Sequence, residues 1–318
     1  MVPMREAAHV VAGVLSDAHG RVLVTQRSAG KHLAGLWEFP GGKCEPGEAP
    51  QDALRRELSE EIGVEAGALE SLISVPWTYP EKSIFLDVYR VLGYAGEPHG
   101  RETQALHWAS LDELTRVGMP LADRPVVTAL RLPRHCVITP EPGDNSADFL
   151  RRFALVIASG ARLVQLRSKH MPEHDLRALA TRARDIATFA GAHVLINSHV
   201  ALARELDLGG IHLPAAELLR CQSRPLPTDR WVGASCHDER ELAHAAAIGV
   251  DFATLGPVLP TTSHPGVAAL GWARFAELVT ATPLPVYALG GLAQSDLPRA
   301  IAAGAQGIAG ISAFWPRV

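Results

Sequence analysis

Three glutamates, Glu57, Glu60 and Glu61, stand at positions i, i+3 and i+4 within the segment from Gly41 to Val64. If that segment is helical, their carboxylates share one face, and like charges at this spacing destabilise a helix by roughly 0.2–0.5 kcal/mol per pair. A cation between the carboxylates would remove the repulsion, and carboxylate oxygens suit Mg²⁺ or Mn²⁺. The solvated face of an ordinary surface helix is the alternative, and the three residues alone do not decide between the two.

The surrounding residues predict the helix that must position these carboxylates. Pro50 suits the first turn, where its missing N–H costs nothing, and Gly63 suits the position that ends a helix. Leu54, Leu58 and Ile62 recur every fourth residue and form one apolar stripe beside the glutamates. We therefore expect the helix to pack against a core through its leucines and to present the carboxylates next to that contact.

The complete spacing of this segment resembles the Nudix box, G-x5-E-x7-R-E-U-x-E-E-x-G-U, where U is a bulky aliphatic residue. All nine fixed positions of the box are filled, by Gly42, Glu48, Arg56, Glu57, Leu58, Glu60, Glu61, Gly63 and Val64. The flanking residues Leu36 to Lys43 are similar to those of the MutT-type branch, the pyrophosphohydrolases that remove oxidised dGTP from the nucleotide pool. The resemblance implies an α/β/α sandwich with a mixed sheet and a Mg²⁺-dependent hydrolase of 8-oxo-dGTP, with Mn²⁺ as a possible substitute.

Hydrolysis of a diphosphate bond needs metal cations on the phosphate oxygens, an attacking water and a group that accepts the proton of that water. The resemblance implies metal ligands at the carbonyl of Gly41 and the carboxylates of Glu57, Glu60, Glu61 and Glu102. It also implies that Arg56 orients the catalytic Glu57 and that Glu48 supports the loop and the outer shell of the metal. Glu102 lies in a loop and is predicted to be a further metal ligand or the general base. The sequence does not decide which glutamate accepts the proton.

The same resemblance implies a nucleotide-binding set made of Arg27, Phe39, Gly42, Glu48 and Asp123. At the position of Asp123 the family carries an Asn. This departure matters because an amide both donates and accepts hydrogen bonds, whereas a carboxylate only accepts unless it is protonated. An Asp could still read a purine edge that offers N–H donors. Phe39 could equally be a core residue and Arg27 a surface charge, so a broader nucleotide specificity stays open.

Length, charge and cysteine content limit the function classes. A chain of 318 residues exceeds what one core usually organises, which predicts two domains. The formal net charge of −4 argues against polymeric nucleic acid and against a cationic membrane face as partners. No apolar run approaches the roughly 20 residues of a membrane span, no signal-peptide core is present, and the four cysteines lack metal-ligand spacing. A cytoplasmic protein with reduced thiols is expected.

Strand and helix patterns place a domain boundary near Pro133. Before it, the β-rich runs Ala7 to Leu15 and Arg21 to Gln26 predict a hairpin, and residues 1–132 form the predicted hydrolase domain. After it, eight strand-like runs alternate with alanine- and leucine-rich helical stretches across residues 136–318. Such alternation predicts a closed parallel (β/α)8 barrel with its sites at the C-terminal strand ends, although about 250 residues is more typical of that fold.

The second half resembles thiamine-phosphate synthase and its TenI-type relatives. Gln165, Arg167 and Lys169 match a pyrophosphate-binding strand end, and Asn197 matches a residue that contacts the pyrimidine. The resemblance implies a barrel set that binds phosphate or ligand, made of Gln165, Arg167, Lys169, Asn197, Ser235, His264, Gly290, Gly291 and Ser312. Glycine turns after the last two strands would offer backbone N–H groups to phosphate oxygens.

Three departures from the synthase fall on its chemistry. Ser198 stands in place of an Asp that binds Mg²⁺, the segment Leu213 to Glu217 lacks the Gly-Gln pair that precedes the second metal-site Asp, and His264 replaces a Lys. Loss of hard-cation ligands predicts that the synthase reaction is absent. A TenI-type isomerase, with His264 as a candidate for proton transfer, or a barrel that binds a phosphorylated small molecule is favoured instead. His212 is predicted to be a structural strand residue.

Three hypotheses about the whole chain follow from the two resemblances. The first is a nucleoside triphosphate pyrophosphohydrolase that acts on 8-oxo-dGTP. The second is a thiamine-linked bifunctional enzyme whose hydrolase domain acts on a pyrimidine or thiamine pyrophosphate. The third makes the barrel a non-catalytic ligand sensor or a scaffold. The oligomeric state is not predicted.

Overall fold

A computed structural model describes residues 7–28, 30, 32–261, 266 and 268–316. The chain divides into two compact units: the first ends at Arg131 and also includes Thr280–Pro283, and the second comprises the other residues from Leu132 onward. No helix in the described part of the chain has both the length and the apolar character that crossing a membrane requires.

The first unit contains short strands around one long hairpin, with helices between and after them. Its elements are β1 (Ala8–Val14), β2 (Val22–Gln26), β3 (Trp37–Glu38), β4 (Gly41–Lys43), α1 (Pro50–Ile62), β5 (Glu65–Thr78), β6 (Ser83–Ala95), β7 (Leu106–Ala109), α2 (Leu111–Leu114) and α3 (Arg124–Arg131). A single 3-10 turn, Leu121–Asp123, precedes α3.

The strands of this unit form two sheets. One has the order β4-β1-β6-β5 and is mixed, because β1 runs parallel to β6 and antiparallel to β4. The other has the order β3-β2-β7 and is antiparallel. The predicted mixed sheet is confirmed, but the predicted hairpin of β1 and β2 is wrong: they belong to different sheets. Only the bridge Ser16–Val22 and the turn around it join them, because the ladder partners of β1 come from β4 and β6.

Strand β1 separates two helical layers. Val11 and Leu15 lie on its α1 side and pack in a cluster with Leu54 and Leu58 of that helix, whereas Ala12 and Val14 lie in the cluster that contains α3. Because successive side chains of a strand point to opposite faces, one apolar strand serves both cores. The unit is therefore a helix–sheet–helix sandwich, as predicted.

Helix α1 has the bounds that its sequence predicts. Pro50 begins it, and Gly63 ends it in the left-handed conformation at φ 70°, with its N–H directed to the carbonyls of Leu58 and Ser59. The stripe of Leu54, Leu58 and Ile62 is fully buried. Burial of such side chains contributes roughly 1.5–3 kcal/mol each, which fixes the rotation of the helix and hence the direction of its glutamates.

The second unit is a closed parallel barrel with strand order β10-β11-β12-β13-β14-β15-β8-β9. Its elements are β8 (His135–Ile138), α4 (Ser146–Ala158), β9 (Leu163–Leu166), α5 (Glu173–Phe189), β10 (His193–Asn197), α6 (Val200–Glu205), β11 (Gly210–Leu213), α7 (Ala215–Leu218), β12 (Trp231–Cys236), α8 (Glu239–Ile248), β13 (Phe252–Leu255), α9 (Gly271–Thr280), β14 (Val286–Leu289), α10 (Leu297–Ala302) and β15 (Gly307–Gly310). The predicted (β/α)8 barrel is confirmed. Helices α6, α7 and α10 have 6, 4 and 6 residues, and this shortening lets the fold close in a short chain.

Large side chains fill the interior of the barrel. Leu163, Trp231, Phe252 and Tyr287 belong to one buried cluster, in which the rings of Phe252 and Tyr287 meet edge to face at 5.5 Å. The hydroxyl of Tyr287 donates a 2.6 Å hydrogen bond to the carbonyl of Pro133. Because the interior is packed, ligands have access only at the strand ends and loops.

Candidate functional site

Arg56 is the centre of the hydrogen-bond network on α1. Its Nε and Nη2 donate to the two carboxylate oxygens of Glu48, each at 2.9 Å, and its Nη1 donates to Glu57 Oε1 at 2.9 Å. Nη2 also reaches the carbonyl of Lys43 at 3.1 Å, which ties the helix to β4. The bonds from Arg56 lower the pKa of Glu48 to about 2. Glu48 accepts a further bond from the N–H of Glu45, so it also closes the loop before the helix.

The carboxylate of Glu57 lies directly against Gly42. A Cβ atom at position 42 would lie 2.2 Å from Cδ of Glu57, so only glycine leaves room for this carboxylate. Gly41 is equally constrained, because a Cβ there would lie 2.1 Å from the carbonyl oxygen of Val11 on the paired strand β1. The two glycines thus let β4 approach both β1 and the helix that carries Glu57.

Glu61 is partly buried, and its two carboxylate oxygens have different partners. Oε2 accepts the N–H of Gly41 at 2.9 Å, and Oε1 accepts the hydroxyl of Thr25 at 3.2 Å. Burial raises the pKa of Glu61 to about 7, and the negative charges of Glu38 and Glu102 add to the rise against the two hydrogen bonds. Glu61 is therefore a carboxyl group whose charge changes near neutral pH.

The remaining predicted metal ligands lie further outward. The side chain of Glu60 is 63% exposed and accepts a 3.2 Å bond from Arg56 Nη1. Glu102 lies in an exposed loop, where its backbone N–H donates to Gln104 Oε1 at 2.8 Å. Within residues 7–28, 30, 32–261, 266 and 268–316, no three His, Cys, Asp or Glu side chains are arranged to hold a metal ion. The guanidinium of Arg56, rather than a shared cavity, lies between Glu57 and Glu60.

A second group of polar residues surrounds Asp123. Arg27 forms an ion pair with Glu38 and donates from Nε to the carbonyl of His32 at 2.6 Å. Asp123 is 6% exposed. Burial raises its pKa well above the usual range, the negative charge of Glu38 adds to the rise, and Arg27 opposes it. The hydroxyl of Tyr79 accepts the N–H of Ala122 beside it at 3.3 Å.

The charge of Arg27 thus acts on Asp123, although the ion pair of Arg27 is with Glu38, and Phe39 lies in the core, where it is 3% exposed. Sequence reasoning did not identify Glu38 or Tyr79 as members of this group. Glu38 could have been found from its position, since it lies within the flank Leu36 to Lys43 that carries the resemblance and directly before Phe39. No comparable signal marks Tyr79.

In the barrel, side chains at adjacent strand ends form two hydrogen-bonded pairs. Gln165 Nε2 donates to Asn197 Oδ1 at 2.7 Å, and His212 Nε2 lies 2.9 Å from Ser235 Oγ. Asn197 and His212 are also register partners on β10 and β11. Burial lowers the pKa of His212 to about 3, so its imidazole is neutral and polar at physiological pH. His212 therefore contacts a predicted site residue, a contact that the sequence did not reveal.

The other predicted barrel residues lie in loops after the strands. Gly290 and Gly291 follow β14 with φ of 100° and 69°, and added Cβ atoms would lie 2.6 Å from Pro257 Cβ and 2.5 Å from the carbonyl of Pro260. This close approach of two loops gives both glycines a steric role beside the predicted phosphate-binding one. Ser312 is exposed in the turn after β15. His264 lies outside the described residues.

The loop after β9 carries Arg167 and Lys169, and the loop after β8 holds it. The N–H of Arg167 donates to Thr139 Oγ1 at 3.0 Å, and the N–H of Lys169 donates to the carboxylate of Glu141 at 3.0 Å. Sequence reasoning gave no role to Glu141. It also gave none to His237, whose Nδ1 lies 2.9 Å from Glu241 Oε2 at the start of α8.

Comparisons with known proteins match the two units separately. A family model described as thiamine monophosphate synthase (TMP-TENI) matches residues 135–314, and a model of the NUDIX domain matches residues 7–130. Thiamine-phosphate synthase of Methanoculleus marisnigri is 36% identical over 173 residues, which are 54% of this chain and 81% of that protein. The 8-oxo-dGTP diphosphatase of Escherichia coli is 34% identical over 122 residues, or 38% of this chain and 95% of that protein. The 8-oxo-dGTP diphosphatase of Haemophilus influenzae is 37% identical over 126 residues, or 40% of this chain and 93% of that protein.

Proposed function

The chain belongs to the thiamine monophosphate synthase family through residues 135–314 and carries a Nudix pyrophosphohydrolase domain at residues 7–130, and from this premise we propose a substrate for the hydrolase. The Nudix domain hydrolyses 8-oxo-dGTP to 8-oxo-dGMP and pyrophosphate with Mg²⁺. Its role is the removal of oxidised nucleotides before they enter DNA.

The observation that carries this proposal is the arrangement of Glu57 and Glu61 against consecutive residues of β4. Glu57 lies on Gly42, and Glu61 accepts the N–H of Gly41, so both carboxylates flank one short strand. Carboxylate oxygens with a neighbouring backbone carbonyl are the donor set that Mg²⁺ favours, so the proposed ligands suit that ion in their donor types. Bound Mg²⁺ would neutralise phosphate oxygens as the diphosphate bond breaks.

Residues of the chain position the catalytic carboxylate and accept the proton of the attacking water. Arg56 holds Glu57 in position through its 2.9 Å bond and is itself fixed by the paired bonds to Glu48. A Glu57 carboxylate held in this way is suited to accept the proton of the attacking water or to bind the metal. Glu102 would join these carboxylates from its loop, since its negative charge already contributes to the raised pKa of Glu61.

The purine specificity rests on the group around Asp123. A buried carboxyl that stays protonated offers one donor and one acceptor, as an Asn would. Oxidation at C8 of guanine converts the N7 acceptor into an N–H donor, and an acceptor in the pocket would select for that change. Both 8-oxo-dGTP diphosphatases named above align with the chain over more than nine-tenths of their length, which supports the same substrate here.

For the barrel, we propose binding of a phosphorylated small molecule without the synthase reaction. Ser198, at the position of a Mg²⁺-binding Asp, has φ 71°, and its hydroxyl accepts a 3.0 Å bond from Asn197 Nδ2. A hydroxyl is a much weaker ligand for a hard cation than a carboxylate. The Gln165–Asn197 and His212–Ser235 pairs would remain to contact a neutral ring.

Steady-state product release tests the hydrolase: pyrophosphate from the two triphosphates, and orthophosphate from the pyrimidine pyrophosphate, whose cleaved diphosphate bond leaves the monophosphate. Full-length protein with Mg²⁺ is offered 8-oxo-dGTP, dGTP and hydroxymethylpyrimidine pyrophosphate, beside a Glu57→Gln variant and an Asp52→Asn control on the exposed face of α1. We expect strong preference for 8-oxo-dGTP, a loss of at least about 100-fold in Glu57→Gln, and no change in Asp52→Asn. Faster turnover of the pyrimidine pyrophosphate would instead assign the hydrolase to thiamine metabolism.

The barrel proposal has its own assay. Full-length protein is incubated with hydroxymethylpyrimidine pyrophosphate, thiazole phosphate and Mg²⁺, and thiamine phosphate is measured. No product is expected. If the wild type formed thiamine phosphate, and Ser198→Ala formed it at the same rate, a serine at position 198 would not prevent the synthase reaction.

A further inference from the structure

The loop of residues 167–171, which follows β9 and carries Arg167 and Lys169, is held by side chains rather than by a backbone ladder. The N–H of Lys169 lies 3.0 Å from each oxygen of the Glu141 carboxylate, and the N–H of His170 lies 3.2 Å from Oε1. Ser168 donates its hydroxyl to the same carboxylate at 2.8 Å and accepts the N–H of Met171 at 3.3 Å. One carboxylate therefore directs the course of the whole loop.

We propose that Glu141 is the positioning residue of the barrel's phosphate site: its carboxylate fixes the loop that presents Arg167 and Lys169 to a phosphate ester. The proposal rests on the phosphate-binding function proposed above for the barrel. It assigns to Glu141, on the neighbouring strand end, a role that neither its residue type nor its position in the sequence indicates. Glu141 does not itself contact the ligand.

Three observations make the contact more than a surface hydrogen bond. The first is that the bonds are charge-assisted and converge on one group, so their geometry is shared and specific. The second is that the segment before Glu141 takes part as well, because Thr139, fully buried, accepts the N–H of Arg167 and donates its own N–H to the carbonyl of Gln165 at 3.0 Å. The loop after β8 thus holds the loop after β9 from Arg167 to His170.

The third observation is a cavity of about 490 Å³ beside this loop, lined in part by Glu141, His170, Met171 and Arg182. Because open space adjoins the loop, apolar packing cannot hold it on that side, and the hydrogen bonds carry more of that task. Partial burial opposes the charge of Glu141, but the bonds from Lys169, Ser168 and His170 outweigh it and hold the pKa of this carboxyl below its usual range.

The sign of the effect separates positioning from simple electrostatics. Glu141 is an anion close to a predicted anion site, so as a mere charge it would weaken phosphate binding, and its removal would tighten it. As a positioning residue it strengthens binding, and its removal weakens it. In Glu141→Gln the amide retains one acceptor oxygen but turns N–H donors toward the N–H groups of the loop, so the convergent bonds are lost.

The experiment is a calorimetric titration of the full-length protein with inorganic pyrophosphate in the presence of EDTA, which measures the binding affinity. Lys169→Ala identifies the part of the binding that belongs to the barrel. Asp144→Asn is the matched control, because Asp144 lines the same cavity yet makes no side-chain hydrogen bond within the described residues. We expect Glu141→Gln to weaken binding by at least about tenfold, the lower end of what loss of a positioning partner costs, and Asp144→Asn to leave it unchanged or slightly tighter.

Two further measurements keep the outcome unambiguous. Glu141→Asp retains the charge but shortens the reach, so it should weaken binding as Glu141→Gln does. Hydrogen exchange at the amides of Lys169 and His170 should accelerate in both variants, while the exchange of strands β8 and β9 stays slow. If Glu141→Gln bound pyrophosphate as tightly as the wild type, or more tightly, the positioning role alone would be overturned. A wild-type protein that binds no pyrophosphate through Lys169 would overturn the proposed barrel function, and the positioning role with it.

Discussion

Glu61 and Gly41 are joined by a 2.9 Å hydrogen bond from the backbone N–H of Gly41 to Oε2 of Glu61, and this bond links the last turn of α1 to β4. It holds a partly buried carboxyl group in the first unit, 20 residues along the chain from its partner. Burial at this point raises the pKa of Glu61 to about 7. A carboxylate with that pKa, in the ligand role proposed above, would bind a cation in competition with a proton.

Metal-free protein should therefore lose stability as the pH rises toward neutrality. The folded state holds the proton of Glu61 up to about pH 7, whereas the unfolded chain releases it near the ordinary value of 4.5, so ionisation opposes folding across that window. With EDTA present, we expect the Tm of the wild type to fall between pH 5 and pH 8 by more than the Tm of Glu61→Gln, which cannot ionise. Thermal unfolding at matched pH values measures this, and identical profiles for the two proteins would contradict it. Added Mg²⁺ should restore the wild type at pH 8.

Gly42→Ala should abolish catalysis with little effect on folding. The new Cβ would lie 2.2 Å from Cδ of Glu57, and the carboxylate can move away because it is the end of a flexible side chain. We expect kcat for 8-oxo-dGTP to fall at least about 100-fold, since the displaced group is a candidate base or ligand. The Tm should change by no more than a few degrees. Gly20→Ala is the control for backbone strain away from the site: its φ of 74° disfavours alanine but the added Cβ meets no atom within 4 Å, so full activity should be retained.

Asp123→Asn should preserve the substrate preference, and Asp123→Ala should not. Burial and the negative charge of Glu38 raise the pKa of Asp123 well above its usual range, and Asn reproduces the donor and the acceptor of a protonated Asp. At pH 7 we expect kcat/KM for 8-oxo-dGTP within about threefold of the wild type for Asn, and a loss of about 10-fold or more for Ala, which corresponds to roughly one hydrogen bond to a buried group. At higher pH the KM of the wild type should rise while that of Asp123→Asn stays constant. If Asn lost as much as Ala at pH 7, Asp123 would act as an anion.

Leu58→Ala should destabilise the first unit through the core beneath α1. Leu58 is fully buried, and its removal leaves a cavity under the helix that carries the glutamates. Replacements of this kind cost about 2–5 kcal/mol of unfolding free energy. Leu92→Ala is the matched control, because Leu92 is 59% exposed and should change stability by less than about 0.5 kcal/mol. Urea unfolding measures both, and equal effects would contradict the burial assigned to Leu58.

The predictions from sequence succeeded where the information is local. Helix α1 could be bounded from Pro50 and Gly63, and the strands of the barrel from alternation with amphipathic helices, because caps and periodicity act within one or two turns. The predicted pairing of β1 with β2 was wrong because strand pairing depends on residues far apart in the chain. Its longest ladder runs parallel to β6, with His9 opposite Phe85, and no local signal specifies a partner so far along the chain.

The protonation states and the supporting contacts of the sites could not be predicted from the sequence either. Whether Asp123 and Glu61 ionise depends on burial, and burial depends on how distant elements pack. Glu38 and Glu141 acquire their roles from neighbours across a sheet or a strand end, Arg27 and Lys169 respectively. Spacing in one motif predicts the residues that carry the chemistry, but residues that hold them in place come from other elements.

The guanidinium of Arg56, shared among Glu48, Glu57 and Glu60, has a consequence for how the hydrolase takes up its cation. The site that a divalent ion would enter is therefore not purely negative, because it already contains this guanidinium. An ion bound by the proposed ligands Glu57 and Glu60 would meet a guanidinium that already bonds one oxygen of each carboxylate, so its loading would be in part an exchange between cations, in which the net charge of the pocket changes by less than the charge of the ion. Such an exchange predicts a weak apparent affinity for free Mg²⁺, and tighter uptake when the ion arrives already complexed with a triphosphate, whose oxygens can take over the freed guanidinium.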